Sequence, residues 1–274
     1  MNTRPLGLTG ARVHPVGFGC MSLSGFYGPS SEAEAMRVLA AALDLGVDFW
    51  DTANVYGDGL SETRIGKFFA EAKGRREKVT LATKFSISRT PDGKRFIDNS
   101  EAHMIEALDG SLKRLGVGHV DLYYVHRLDP RFPIEETVGA LSRQVEKGKI
   151  RAIGLSEMAP DTLRRAHVVH RIAAMQSEYS LWVRFPELGM LQTCAELGVA
   201  FVAFSPVGRG ALSACAISTH CRRATFARTT RASSAKTGGA ISSGSTPMSR
   251  WRNRSNATLA SSPSPGRWRK ASMC

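Results

Sequence analysis

The chain has 274 residues, 42% of them hydrophobic, 22% charged and 8% aromatic, which suits one large or two ordinary globular domains and excludes a collagen-like or wholly disordered chain. A formal net charge of +13, from 37 Lys+Arg against 24 Asp+Glu, taken alone points to a phosphate-rich partner. Its location argues otherwise: residues 213–274 hold eleven Lys/Arg and no Asp or Glu, leaving +2 for residues 1–212.

The opening MNTRPLGLTG lacks the apolar core of a signal peptide, and Arg4–Val13 predicts a short hairpin turning at Thr9–Gly10 that caps the bottom of the domain built by the later strands. Seven β-rich runs come next: Val16–Gly19, Val47–Asp51, Val79–Lys84, Val120–His126, Ile150–Ser156, Ala173–Gln176 and Phe201–Ser205. Helical patterns separate them. Ser31 with Glu34 reads as a capping box, followed by Met36, Leu39, Ala40 and Leu43 on one face and a stop at Gly46. Gly116, Gly148 and Gly198 repeat that punctuation, each placed where a helix ends in a left-handed residue before the next strand. Strands alternating with helices imply parallel pairing through right-handed crossovers. With no GxGxxG after the first strand and polar residues at successive strand ends, the expected fold is a (β/α)₈ barrel of the TIM type rather than a doubly wound sheet.

The longest apolar stretch, near Val199–Phe204, is far shorter than the roughly 20 residues of a membrane helix. Five widely spaced cysteines (Cys20, Cys194, Cys215, Cys221, Cys274) show no CxxC pair or zinc-ligand spacing. The expectation is a soluble cytoplasmic protein with reduced thiols and no metal site.

Strand ends and the loops after them supply Asp51, Tyr56, Lys84 and His126 from three strands, able to converge on one mouth. A nearby ammonium lowers the pKa of a phenol, and a carboxylate holds the ammonium in place. Such a phenol protonates a developing alkoxide, while the imidazole orients a carbonyl oxygen or shares the proton. From spacing alone a plainer reading stands beside this one: Asp51 caps the helix beginning near Ser61 or makes a structural ion pair with Lys84, Tyr56 is a loop aromatic, and His126 is a rim histidine. His103, His119, His167 and His170 lie on helical or loop stretches and receive no role.

The run GVDFWDTANVYG (46–57), with Ser61, Glu62 and Gly66, resembles the signature of the aldo-keto reductase family. LATKF (81–85), VDLYYVHR (120–127), GKIRAIGLS (148–156), QSEYSLW (176–182) and FSPVGRG (204–210) come after it in order, so the resemblance spans about residues 4–212. The wording is most similar to the perakine-reductase and pyridoxal-reductase-like branch. The resemblance implies a (β/α)₈ barrel that transfers a hydride from NADPH to an aldehyde or ketone. Tyr56 is then the acid, Lys84 and Asp51 tune it, and His126 orients the carbonyl. It further implies that Ser156 and Gln176 hold the nicotinamide carboxamide, that Phe204 stacks on the ring, and that Ser205, Pro206, Val207, Gly208, Arg209 and Gly210 cradle the pyrophosphate. Where much of the family has Asn after the serine, this chain has Glu157.

Beyond Leu212 the resemblance stops. Residues 213–274 hold 20 Ser/Thr but only four Leu, Ile, Val or Phe, too few to build a core. They contain no strand-like run and no Pro-Gly block of the kind that family members use for the NADPH 2′-phosphate. The expected organisation is therefore a barrel over 1–212, incomplete for want of its closing strand, and a basic, disordered tail over 213–274. An acid-free, Arg- and Ser-rich segment beginning in mid-motif looks like translation out of frame. Two other functions compete with NADPH-dependent carbonyl reduction: a barrel that binds cofactor or a partner without turnover, resembling the potassium-channel β-subunits, and a nucleic-acid binder working through the tail. Eleven scattered charges without a groove-reading motif limit the latter to salt-sensitive, non-specific affinity.

Overall fold

A computed structural model describes residues 3–90 and 92–212; the expectations for 213–274 lie outside the described residues. The N-terminal hairpin forms as its turn residues predict. Strand β1 (Arg4–Pro5) pairs antiparallel with β2 (Arg12–Val13), and Leu6 donates to the Ala11 carbonyl at 2.9 Å. Seven parallel strands come next in one curved sheet: β3 (Phe18–Gly19), β4 (Phe49–Asp51), β5 (Thr80–Phe85), then, past an inserted hairpin of β6 (Ile87–Arg89) and β7 (Arg95–Ile97), β8 (Leu122–Val125), β9 (Ile153–Ser156), β10 (Ile172–Glu178) and β11 (Ala200–Phe204). Their order, β11-β10-β9-β8-β5-β4-β3, is the chain order of a barrel wall. Every one of the seven expected strands is present. Among the described residues β3 and β11 remain unpaired edges, so the barrel is nearly closed rather than closed.

The helices α1 (Glu32–Asp44), α2 (Leu60–Ala70), α3 (Glu101–Leu115), α4 (Ile134–Glu146), α5 (Pro160–Val169) and α6 (Met190–Leu197) pack outside the strands. Helix α1 starts at the expected capping box, with the Ser31 hydroxyl accepting from the Glu34 amide and the Glu34 carboxylate accepting from the Ser31 amide. Gly46, Gly116, Gly148 and Gly198 all have φ between 66° and 73°, the left-handed exit expected of them. Charged side chains lace neighbouring helices: Lys67 to Glu32 (2.6 Å), Arg114 to Glu62 (2.7 Å), Arg143 to Glu101 (2.6 Å) and Arg165 to Glu135 (2.7 Å). No described helix is long and apolar enough to cross a membrane.

Two cores result from the period of two along each strand. Outward residues such as Trp50, Leu81, Tyr123, Ile153 and Met175 meet the helices. Inward residues Phe49, Ala82, Leu122, Tyr124, Ala152, Ala174 and Ala200 fill the barrel, and Leu6 and Val13 of the N-terminal hairpin complete this inner cluster from below. The hairpin sits close: a Cβ on Gly7, where φ is 55°, would lie 2.2 Å from the Ala173 carbonyl oxygen. The β6–β7 hairpin, by contrast, has no counterpart among the elements expected from the sequence. Its signal was present in the turn-forming run Thr90–Pro91–Asp92–Gly93–Lys94 between two short runs carrying Ile87 and Ile97.

Candidate active site

Continuing each inward row toward the C-terminal ends of the strands replaces apolar residues with polar ones. Phe49 leads to Asp51, Ala82 to Lys84, Leu122 through Tyr124 to His126, Ala152 through Gly154 to Ser156, Ala174 to Gln176, and Ala200 through Val202 to Phe204. The parallel registers Asp51↔Ala82, Lys84↔Tyr124, Tyr124↔Gly154 and Gln176↔Ser156 hold these rows side by side.

Lys84, wholly buried, donates to the Asp51 carboxylate and to the Thr52 carbonyl at 2.9 Å. The second Asp51 oxygen accepts from the Gln176 amide nitrogen at 2.9 Å. The Lys84 ammonium lies 5.3 Å from the Tyr56 ring centroid and 5.5 Å from that of Tyr124. Tyr56 meets His126 edge to face, with centroids 6.1 Å apart. The loop carrying Tyr56 is pinned at both ends: the Asn54 amide donates to the Lys84 carbonyl, and the Ser61 hydroxyl bonds the Cys20 carbonyl and the Thr52 hydroxyl. A Cβ on Gly57 would come within 2.6 Å of the Ser24 Cβ, so glycine lets this loop lie flat against the turn after β3.

Burial and charge set the protonation states. Burial pushes the Tyr56 phenol above its ordinary value, with Lys84 pulling the other way and Asp51 adding to the rise. This corrects the expectation of a lowered phenol: in this pocket desolvation outweighs the ammonium. Burial alone would lower Lys84, but Asp51 and Tyr56 hold its ammonium above the usual lysine range. Burial, followed by the charges of Lys84, Arg127 and Arg95, pushes His126 well below the usual histidine value. The cluster therefore presents a protonated phenol, a neutral imidazole and an ammonium–carboxylate pair in one mouth. Asp51 caps no helix, since α2 starts behind Gly59 without a side-chain cap.

Ser156, the last residue of β9, accepts from Arg127 at 3.2 Å. Phe204 ends β11 half-buried, and Ser205, Pro206 and Val207 lead into a short 3₁₀ turn, Gly208–Gly210. In that segment Ser205, Gly208, Arg209 and Gly210 all have positive φ. All the residues expected at the cofactor lie at the same end of the barrel as Asp51, Tyr56, Lys84 and His126, although Gln176 is bonded to Asp51. Tyr124 and Gly154 were not among the residues expected at the site. A Cβ on Gly154 would lie 2.5 Å from the Tyr124 ring, so this glycine makes room for the tyrosine beneath the polar layer. The parity with His126 was the signal for Tyr124.

A parallel barrel wall with a buried Asp–Lys pair, a tyrosine and a histidine at its C-terminal mouth defines an α/β barrel with an enzyme-type site. The model of the aldo/keto reductase family matches residues 15–228. The aldo-keto reductase yakc, NADP(+), of Schizosaccharomyces pombe is 46% identical over 205 residues, covering 73% of this chain and 60% of its own length. The holo form of aldo-keto reductase AKR11C1 from Bacillus halodurans superposes with a TM-score of 0.70 at 36% identity, covering 78% of this chain and 69% of that one. The glycerol dehydrogenase AKR11B4 of Gluconobacter oxydans gives 0.71 at 29% identity, with 77% and 65% covered. The chain belongs to the aldo/keto reductase family. It spans about three fifths of the length of the curated relatives it matches, 60% and 59%.

Proposed function

We propose that the chain reduces an aldehyde or ketone to an alcohol, with NADPH as the hydride donor and Tyr56 as the general acid. The observation that carries this reading is the buried Lys84–Asp51 pair set against the Tyr56 ring, with a neutral His126 beside it. The cofactor, when bound, supplies the hydride. As negative charge develops on the carbonyl oxygen, Tyr56 Oη donates its proton, and the adjacent Lys84 ammonium stabilises the phenolate left behind. Asp51 fixes Lys84 against the phenol, and neutral His126 orients the carbonyl oxygen.

The residues fit an NADPH molecule laid across the strand ends. Ser156 and Gln176 offer a hydroxyl and an amide to the carboxamide, and half-buried Phe204 offers a ring face. The turn over Ser205–Gly210, with positive φ at Ser205, Gly208, Arg209 and Gly210, is the kind of backbone that gathers amide N–H groups around phosphate oxygens. In this reading the barrel unit ends near residue 212, although the family match continues to 228.

NADPH consumption over a panel of small aldehydes and ketones tests the proposal on the full chain. Turnover is expected, with Tyr56→Phe slowing it by about 10²–10⁴-fold. Undiminished turnover in that variant overturns the role of Tyr56. Tight NADPH binding without turnover of any carbonyl favours a barrel that binds without catalysis.

A further inference from the structure

Arg127 has no part in the proton transfer from Tyr56. It follows His126 directly, lies half-buried, and donates through Nη1 to the His126 carbonyl at 2.6 Å and to Ser156 Oγ at 3.2 Å. These bonds anchor one edge of the guanidinium and leave the rest of its fork unmatched: no carboxylate lies within ion-pair distance among the described residues. Glu157 is close enough to act on it electrostatically, but Glu157 Oε1 already accepts the Glu178 amide at 2.6 Å.

A second arginine without an ion-pair partner among the described residues, Arg95, lies on the hairpin that leaves β5. The β6–β7 hairpin continues from the end of β5 and sets Arg95 directly opposite Arg89 across the strands, a pairing of like charges that is unfavourable without an anion. Arg89 finds Asp58, on the Tyr56 loop, at 3.4 Å. Arg95 has no partner among the described residues, and its charge bears on both His126 and Arg127. A half-buried guanidinium tied by one edge beside His126, with the remainder of its fork free of any carboxylate among the described residues, has the geometry to take an anion in a charge-assisted, bidentate fashion.

We propose that Arg127, aided by Arg95, binds a carboxylate carried by the carbonyl substrate, so that the preferred substrates are oxo acids with the carboxylate close to the reacting carbonyl. This rests on the carbonyl-reductase reading and deepens it. The short tether from Arg127 to His126 places the anion next to the carbonyl rather than at the far end of a long substrate. The phosphates of the cofactor are the competing source of negative charge. The segment proposed for them follows β11, however, whereas Arg127 sits between the ends of β8 and β9, with β10 intervening.

Phenylglyoxylate and its methyl ester differ by one negative charge and test the proposal on the full chain, through dissociation constants by calorimetry and kcat/KM with NADPH. The parent is expected to favour the acid by about 10-fold or more, as a desolvated charge-assisted contact allows. Arg127→Met should bring acid and ester to within about 2-fold, Arg127→Lys should keep part of the preference, and Arg95→Met should lose a smaller part. Melting curves establish that each variant is folded. An equal preference in parent and Arg127→Met, or a parent that favours the ester, overturns the subsite. So does an Arg127→Met that weakens NADPH binding while leaving the acid-to-ester ratio unchanged, since the anion is then the cofactor's. If neither these ketones nor any carbonyl of the aldehyde and ketone panel is reduced but calorimetry still shows an Arg127-dependent preference, the subsite stands and the carbonyl-reductase reading falls.

Discussion

The same strands build two different ends. At the bottom the inward row is apolar and mostly small, Ala82, Leu122, Ala152, Ala174 and Ala200, plugged by Leu6 and Val13. Two to four residues further along, the row becomes Lys84, Tyr124, His126, Ser156 and Gln176. The lower end needs only shape and burial, which many side chains supply. The upper end buries an ammonium, a carboxylate and an imidazole, each of which is costly unless its neighbours are in place. With the function proposed above, stability and reactivity are separated along one axis of the barrel, and changes at the two ends should have different signatures.

The largest effect is expected from Lys84→Met. It leaves Asp51, whose side chain is 14% exposed, with Gln176 as its remaining partner, and stranding a buried charge of this kind costs about 3–5 kcal/mol. Carbonyl turnover should fall at least as far as in Tyr56→Phe, since the phenolate loses its cation. Adding Asp51→Asn to Lys84→Met should restore much of the melting midpoint and none of the turnover. A double variant no more stable than the single one would show that the pair is not what makes the upper end costly. Leu122→Ala should give the opposite pattern. This fully buried residue should cost about 2–5 kcal/mol by chemical denaturation, with KM unchanged in the protein that remains folded.

A matched pair of glycine substitutions sharpens the contrast at smaller cost. Gly7→Ala forces a Cβ onto the Ala173 carbonyl at a positive φ and should destabilise by more than about 1 kcal/mol without altering kcat. Gly154→Ala pushes on the Tyr124 ring, and overpacking of this kind costs about 1–3 kcal/mol. Its turnover should fall out of proportion to its stability, because the displaced ring lies against Lys84. Equal ratios of lost activity to lost stability in the two variants would erase the distinction between the ends.

Much of this division was legible in the sequence. Each barrel strand carries its own β-rich run, and the Ser31–Glu34 box and the helix-ending glycines are local devices that need no tertiary context. Asp51, Tyr56, Lys84 and His126 could be assembled because a parallel barrel brings strand ends together wherever they fall in the chain. The direction of the Tyr56 shift was not legible, because it depends on how completely the loop buries the phenol against Lys84, a balance of two opposing tertiary effects. Arg127 was passed over for a similar reason. Its proposed role rests on the lack of an ion-pair partner among the described residues, and only the fold shows which charges fail to meet.

The smallest effect is a pH dependence that belongs to the upper end alone. Burial, with Lys84, Arg127 and Arg95, holds His126 below its ordinary value of about 6.5. As pH falls below that value, the unfolded chain takes up a proton that folded His126 refuses. Stability present above about pH 6.5 is therefore lost progressively toward the folded pKa. At the alkaline limit Lys84 and Tyr56, both raised, contribute stability that is fully present below their ordinary values of about 10.4 and 10 and is lost as pH rises through the folded ones. Between these limits the phenol is protonated and the imidazole neutral, so kcat/KM should be flat from pH 7 to 9. Denaturation of the parent, His126→Gln and Leu122→Ala at pH 7 and pH 5 isolates the acid limb. The histidine variant should lose less stability between the two pH values than the parent, by no more than one proton's worth of slope. The leucine variant should start lower and lose the same amount as the parent, because the inner cluster around Leu122 contains no group that titrates in that range. A histidine variant with the parent's full acid loss would assign that loss to surface carboxylates instead.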